Sequence, residues 1–143
     1  MHASVRVIAD TTALSLVVRR RPNAPLTPEE AAIREEVLRL AEARDLVLLG
    51  PVRLETLSGV RTEAAFEALR LALRAFADEP LLLDDFELGA RFANSLLNHG
   101  VPSTSVDMLI AAASARLDAP ILTLDRDFPR YAQHLPIRLH SPP

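Results

Sequence analysis

The sequence predicts a three-layer α/β/α fold on a mainly parallel sheet of about five short strands. Three observations carry that expectation. Apolar runs of three to five residues recur along the chain, too short for helices, and each is bounded on at least one side by Asp, Gly or Pro. Between them lie longer stretches with apolar residues at helical spacing and charged residues on the intervening positions. The composition, 49% hydrophobic against 24% charged, is that of a globular domain and excludes a disordered tail or a coiled coil. A length of 143 residues suits one domain, so residues 1–143 are expected to fold as a single unit.

The elements follow in order. Val5 to Ala9, interrupted by Arg6, is the first strand and ends at Asp10. Leu14 to Val18 is a short helix that stops near Arg19-Arg20-Arg21 and Pro22. Thr27-Pro28-Glu29-Glu30 opens the next helix: Thr27 can cap, Pro28 suits the first turn, and Glu30 stands where a capping box places its carboxylate. Ile33, Val37, Leu40 and Ala41 form its apolar face. Leu46 to Leu49 is a buried strand between Asp45 and Gly50. Pro51 opens a helix ending at Ser58-Gly59, and a longer one follows Thr62 with Phe66, Leu69, Leu73 and Phe76 as its stripe. Leu81 to Leu83 is a candidate short strand. The helix from Asp84 to His99 turns Leu88, Phe92 and Leu96 inward and stops at Gly100. Ser103-Thr104-Ser105 starts a helix with Val106, Leu109, Ile110, Ala113 and Leu117 on one face. Ile121 to Leu124 and Ile137 to Leu139 are the last strands.

Composition excludes several functions. The net charge of −3 does not advertise a nucleic-acid binder. All sixteen basic residues are arginine and none is lysine, which excludes mechanisms that need a catalytic lysine. Without cysteine there is no disulfide framework, thiol nucleophile or zinc–thiolate site, which suits a reducing compartment. Arg6 and Asp10 interrupt the apolar stretch that a signal peptide requires. No apolar run approaches the roughly 18 residues of a membrane span. A cytoplasmic protein is expected.

In an open α/β sheet, sites form beyond the carboxyl ends of the strands. Asp10 closes the first strand, Glu55 lies early in the helix after the second, Asp107 is in the opening turns of a helix, and Asp125 closes the strand from Ile121. Each acid also has a plain structural use. Asp10 can cap the following helix, Glu55 can be a solvated helix residue, Asp107 can favour a helix dipole, and Asp125 and Asp127 can form a turn. Their joint placement on one edge is what favours chemistry. Like charges so close repel and raise each other's pKa, and a bound cation resolves the conflict. Oxygen ligands suit magnesium or manganese. Metal-assisted hydrolysis of a phosphodiester is the leading chemistry.

Four segments together resemble a known family. Val7-Ile8-Ala9-Asp10-Thr11-Thr12, Glu55-Thr56-Leu57-Ser58-Gly59, Asp107-Met108-Leu109-Ile110-Ala111-Ala112 and Thr123-Leu124-Asp125-Arg126-Asp127-Phe128 are similar, in order and spacing, to the successive signatures of PIN-domain ribonucleases, above all the VapC-type toxins of prokaryotic toxin–antitoxin pairs. The resemblance implies a PIN-like fold and a magnesium- or manganese-dependent endoribonuclease with Asp10, Glu55, Asp107 and Asp125 as its acidic site. It makes Asp10 and Asp107 the direct metal ligands, with Glu55 and Asp125 completing the cluster through water and Asp127 a candidate fifth member. Thr11, Thr12 and Thr123 match the hydroxyl residues that orient those carboxylates. It further implies a cognate antitoxin, an RNA substrate and a homodimer. The stretch from Arg19 to Asp45 is long for a compact toxin.

Arginine is the second ingredient, because its fork suits phosphate oxygens and its plane stacks on bases. Arg19, Arg20, Arg21 and Arg126 are the candidates for RNA or partner contact. Arg53 and Arg130 also lie near the acids in sequence. A solvated helix end is the competing reading for Arg19 to Arg21. The histidines show no metal-pair spacing, and nothing resembles a nucleophile elbow or a lysine-bearing phosphate loop. Receiver and phosphoryl-transfer domains share strand-end aspartates but characteristically use a lysine. A catalytically inactive PIN-like binding module has no reason to keep mutually repelling carboxylates, whereas an RNA-processing nuclease without a toxin role stands open beside the toxin reading.

Overall fold

In a computed structural model that describes residues 5–18 and 25–143, the chain runs β1 (Val7–Ala9), α1 (Thr11–Val18), α2 (Pro28–Glu42), β2 (Leu46–Leu49), α3 (Gly50–Leu57), α4 (Glu63–Leu73), β3 (Ala77–Glu79), α5 (Leu83–Asn98), α6 (Ser105–Leu117), β4 (Ile121–Leu122) and α7 (Asp127–Ala132). The strands pair in the order β3-β2-β1-β4, every pairing parallel, with Ile8 opposite both Val47 and Ile121. The expected three-layer parallel architecture is present. Alternation along the strands explains it. Val7, Ala9, Leu46 and Leu122 enter a cluster with Ala13, Leu16, Ile33, Val37 and Leu40 from α1 and α2. Ile8, Val47 and Ile121 enter the opposite cluster with residues of α3 to α7, among them Leu73, Phe92, Leu96, Phe128 and Tyr131.

Helix starts are where the sequence speaks most directly. Thr27 accepts from the Glu30 N–H at 3.1 Å while the Glu30 carboxylate accepts from the Thr27 N–H at 3.0 Å, the expected capping box. The Thr62 and Thr104 hydroxyls cap α4 and α6 by accepting from the Ala65 and Asp107 N–H groups. Gly100 takes a φ of 74° just past α5. Within α5, Gly89 lets the helix approach α6 closely, because a Cβ there would come within 3.2 Å of the Met108 carbonyl.

Several expected boundaries move. β1 starts at Val7 rather than Val5, α1 begins at Thr11 directly after Asp10, and β4 ends at Leu122. The fifth strand is reduced to a parallel bridge between Leu139 and Ile121. Phe76 lies beyond the end of α4. The expected strand from Leu81 to Leu83 is not formed: the third strand is Ala77–Glu79, and Leu83, 77% exposed, begins α5. The strand is an edge, and charged side chains rather than apolar ones fix it, with Arg53 paired to Asp78 and Arg6 to Glu79.

One buried acid docks this edge to the helices. Asp85, 1% exposed, accepts from both Nε and Nη2 of Arg116 at 2.7 and 2.9 Å and from the Leu82 N–H at 2.9 Å. Burial opposes ionisation, but the Arg116 fork and the Leu82 N–H outweigh it and hold the Asp85 pKa below the usual carboxylate range. Its contribution is therefore present above the unfolded carboxylate pKa and lost as pH falls through the lowered folded value. Asp85→Ala leaves Arg116 and the Leu82 N–H unpaired and is expected to cost about 3 kcal/mol. Urea denaturation checks this, with a loss under about 0.5 kcal/mol, the range of ordinary surface changes, contradicting it.

Candidate functional site

The topology locates the site before any side chain is considered. From β1 the chain steps to β2 and β3 on one side and then crosses to β4 on the other, so the strand order reverses between β1 and β4. A crevice opens beyond the carboxyl ends of two strands that diverge in this way. Asp10 follows β1 directly, and the loop from Thr123 to Arg126 follows β4.

Asp10 is 3% exposed and stands at the cap of α1, where its Oδ1 accepts from the Ala13 N–H at 3.1 Å. Thr12 donates to Oδ1 at 2.7 Å and Thr123 to Oδ2 at 2.5 Å. The same two hydroxyls accept in turn: Thr12 from the Leu124 N–H and Thr123 from the Asp125 N–H, each at 2.9 Å. Two threonines thus lock the first turn of α1 to the β4–α7 loop through one carboxylate. Asp125 Oδ1 accepts from the Asp127 N–H at 2.9 Å, so the turn-forming use of Asp125 is realised together with its place at the crevice.

Asp107 stands in the first turn of α6, its N–H bound to the Thr104 hydroxyl at 3.1 Å. Tyr131, buried in α7, donates its phenol to Asp107 Oδ2 at 2.8 Å. One carboxylate oxygen from each of Asp107, Asp125 and Asp127 lies within 4.8 Å of the other two. Asp10 senses the charge of Asp125, and Asp107 senses those of Asp125 and Asp10. Among the described residues, no arginine or histidine forms an ion pair with Asp10, Asp107, Asp125 or Asp127. An all-oxygen donor set, converging and without a cation of its own, fits a hard divalent ion such as magnesium or manganese. The N-terminal ends of α1 and α6 face the same charges favourably.

Glu55 is placed differently. It lies in the second turn of α3, exposed, and its carboxylate accepts from the Thr11 hydroxyl at 2.9 Å. It stands beside the cluster, tied to it through the residue after Asp10, and is not among the three converging acids. Arg53 reaches Asp78 at 2.7 Å, on the sheet edge, and not the crevice. Arg126 and Arg130 are exposed near Asp125. Arg19, Arg20 and Arg21 lie outside the described residues.

Tyr131 was not legible as a site residue. Its only sequence signal is the fourth position after Asp127 in a helix, a spacing that aromatic core residues share. Burial raises its pKa well above the ordinary phenol value, and the charge of Asp107 adds to the rise, so it remains a proton donor. Burial is also the main reason that the pKa values of Asp10 and Asp107 are raised. Repulsion from Asp125 adds less, and the hydrogen bonds from Thr123 and Thr12 on Asp10 and from Tyr131 on Asp107 oppose it.

Residues 7–133 match the family model described as PIN domain. No curated protein matches the chain in sequence. Among solved structures, FitAcB from Neisseria gonorrhoeae superposes with a TM-score of 0.72 at 18% identity, over 95% of this chain and 97% of that one. VapBC2 from Rickettsia felis, bound to a DNA fragment from their promoter, gives 0.74 at 15% identity, over 95% and 98%. VapBC-1 from nontypeable Haemophilus influenzae gives 0.71 at 17% identity, over 96% and 98%. Identities of this size show a shared fold.

A raised folded-state pKa has a definite consequence for stability. Between the unfolded carboxylate value and the raised one, the folded state binds more protons than the unfolded state, so stability falls as pH rises through that window and levels off above it. In EDTA, the wild-type Tm is expected to fall as pH rises from about 4 toward neutrality. Asp107→Asn removes part of that descent and should melt on the order of a few degrees higher at neutral pH. Thermal melts across this range test it, and a variant that melts lower than wild type at neutral pH contradicts it.

Proposed function

The chain belongs to the PIN domain family, and from that premise we propose that it is a metal-dependent endoribonuclease and the toxin of a type II toxin–antitoxin pair. The single observation that carries the reading is the convergence of Asp107, Asp125 and Asp127 beside the buried Asp10, at the switch point of the sheet and without a balancing cation among the described residues. The similarity to FitAcB and VapBC structures supports the antitoxin partner.

In this reading Asp107, Asp125 and Asp127 hold a magnesium or manganese ion, with Asp10 behind them. When bound, that ion neutralises charge developing on a phosphodiester and makes water a competent nucleophile. The protein's own part is positional. Thr12 and Thr123 fix both oxygens of Asp10, and Tyr131 fixes one oxygen of Asp107, so the acids need little reorganisation when substrate arrives. Arg126 and Arg130 offer phosphate contacts at the rim, as do Arg19 to Arg21 in the sequence reading. Glu55, held by Thr11, stands at the side of the cluster, where it would act on the ion only through water.

Purified protein should cut RNA in magnesium or manganese and stop in EDTA. Asp10→Asn and Asp107→Asn are each expected to lower the rate at least about a hundredfold, and Tyr131→Phe about tenfold, since it loses orientation of a ligand and no ligand itself. Retained cleavage in both asparagine variants overturns the assignment. For the toxin role, expression alone should arrest growth, and co-expression of a small partner encoded beside it should relieve the arrest. Cleavage without toxicity or partner instead favours an RNA-processing nuclease.

A further inference from the structure

We propose that the cleft between α2, the β4–α7 loop and the C-terminal segment is a nucleobase subsite that seats one unpaired base of single-stranded RNA beside the acidic cluster. The proposal rests on the nuclease reading and adds to it where the substrate lies. Thr123 and Asp125 belong both to the cleft and to the cluster, so a chain whose phosphate reaches the acids passes its neighbouring nucleotide into the cleft. Its volume of about 290 Å³ is at the lower end for small-molecule pockets, a scale that suits one planar group. Ala32 and Ile33 of α2, Leu124, Pro129 and His140 give it largely flat or apolar walls. Unpaired bases are held by stacking on such surfaces, imidazole included.

Charge orients the occupant. Glu29 lines the α2 side, where it disfavours a phosphate, and Arg126 lines the loop side, where it favours one. The base therefore lies toward α2 and the backbone toward the loop.

His140 is fixed from two directions. Its N–H donates to the Ile121 carbonyl at 2.8 Å, and the Ile121 N–H donates to the Arg138 carbonyl at 2.9 Å, so the segment is pinned along β4. Its Nε2 meets Glu36 Oε2, and a carboxylate only accepts, so Nε2 carries the proton. The Glu36 side chain, 2% exposed, is itself gripped by Nε and Nη2 of Arg39 at 2.5 and 2.9 Å. The ring plane is thus set before any ligand arrives, and little side-chain freedom is lost on binding.

The test is fluorescence anisotropy in EDTA and low salt, where cleavage does not intrude, with a short labelled single-stranded RNA and a set of the same RNA carrying one abasic position each. In wild type, one abasic position should weaken binding about tenfold. Ala32→Trp, an exposed helix position that fills the cleft, should weaken binding of intact RNA to a similar extent and erase the abasic sensitivity. His140→Ala should do the same, and His140→Phe, which keeps a flat ring, should restore most of the binding. Wild type that binds no RNA, abasic RNAs that all bind like the intact one, or Ala32→Trp binding intact RNA like wild type each overturns the subsite. Ala32→Trp that loses a co-purifying protein partner while keeping RNA makes the cleft a peptide site and overturns it too. Cleavage of the same RNA in magnesium separates the two readings. Wild type that shows the abasic signature without cutting overturns the nuclease reading and leaves the subsite. Cutting by Ala32→Trp at unchanged KM does the reverse.

Discussion

The architecture of the crevice depends on one carboxylate. Asp10 is withdrawn from water, yet its two oxygens accept from Thr12, Thr123 and the Ala13 N–H. Those partners belong to the first turn of α1 and to the loop after β4, segments 113 residues apart in sequence at the Thr123 contact. A buried polar group that is fully hydrogen-bonded specifies one arrangement of its surroundings, because any other leaves a donor or the charge itself unsatisfied. The threonine hydroxyls extend the constraint by accepting from the Leu124 and Asp125 N–H groups. The position of Asp125, and through its Oδ1 the turn to Asp127, follows from Asp10.

That constraint has a cost which the rest of the site does not remove. Three further acids meet beside Asp10, and among the described residues none has a cationic partner. Elsewhere in the molecule buried acids are treated differently: Asp85 receives the fork of Arg116, and Glu36 receives Arg39 and His140. The contrast within one chain argues that the charge at the crevice is retained for a ligand. Burial, with a smaller push from neighbouring acids, raises the Asp10 and Asp107 pKa values, whereas the arginine partners of Asp85 and Glu36 outweigh burial and lower theirs.

Much of this was legible because it is local. Caps at Thr27, Thr62 and Thr104 act within four residues, and the apolar run Leu46–Leu49 is bounded by its own stop signals. The family motifs singled out Asp10, Asp107 and Asp125, which the fold brings to the crevice, with Thr11, Thr12 and Thr123 bonded to carboxylates. What escaped depends on distant partners. The strand Ala77–Glu79 lacks apolar residues at two of its three positions and is held by Arg6, Arg53 and β2, so the leucines after it gave a false signal. Tyr131 reads as core until α7 is laid against α6. The role of Glu36, an acid on an amphipathic helix, emerges only when His140, more than a hundred residues later, closes on it. Glu55 was expected within the acidic set, and its helix leaves it exposed at the side.

The central claim is that Asp107, Asp125 and Asp127 form one cation site supported by Asp10. Calorimetric titration of manganese into the protein, without RNA, tests it most directly. The account predicts one site per chain, abolished or severely weakened in Asp107→Asn and Asp125→Asn and largely kept in Glu55→Gln, with all variants folded by circular dichroism. Manganese uptake that is unchanged in Asp107→Asn and Asp125→Asn, or absent from folded wild type, would contradict it.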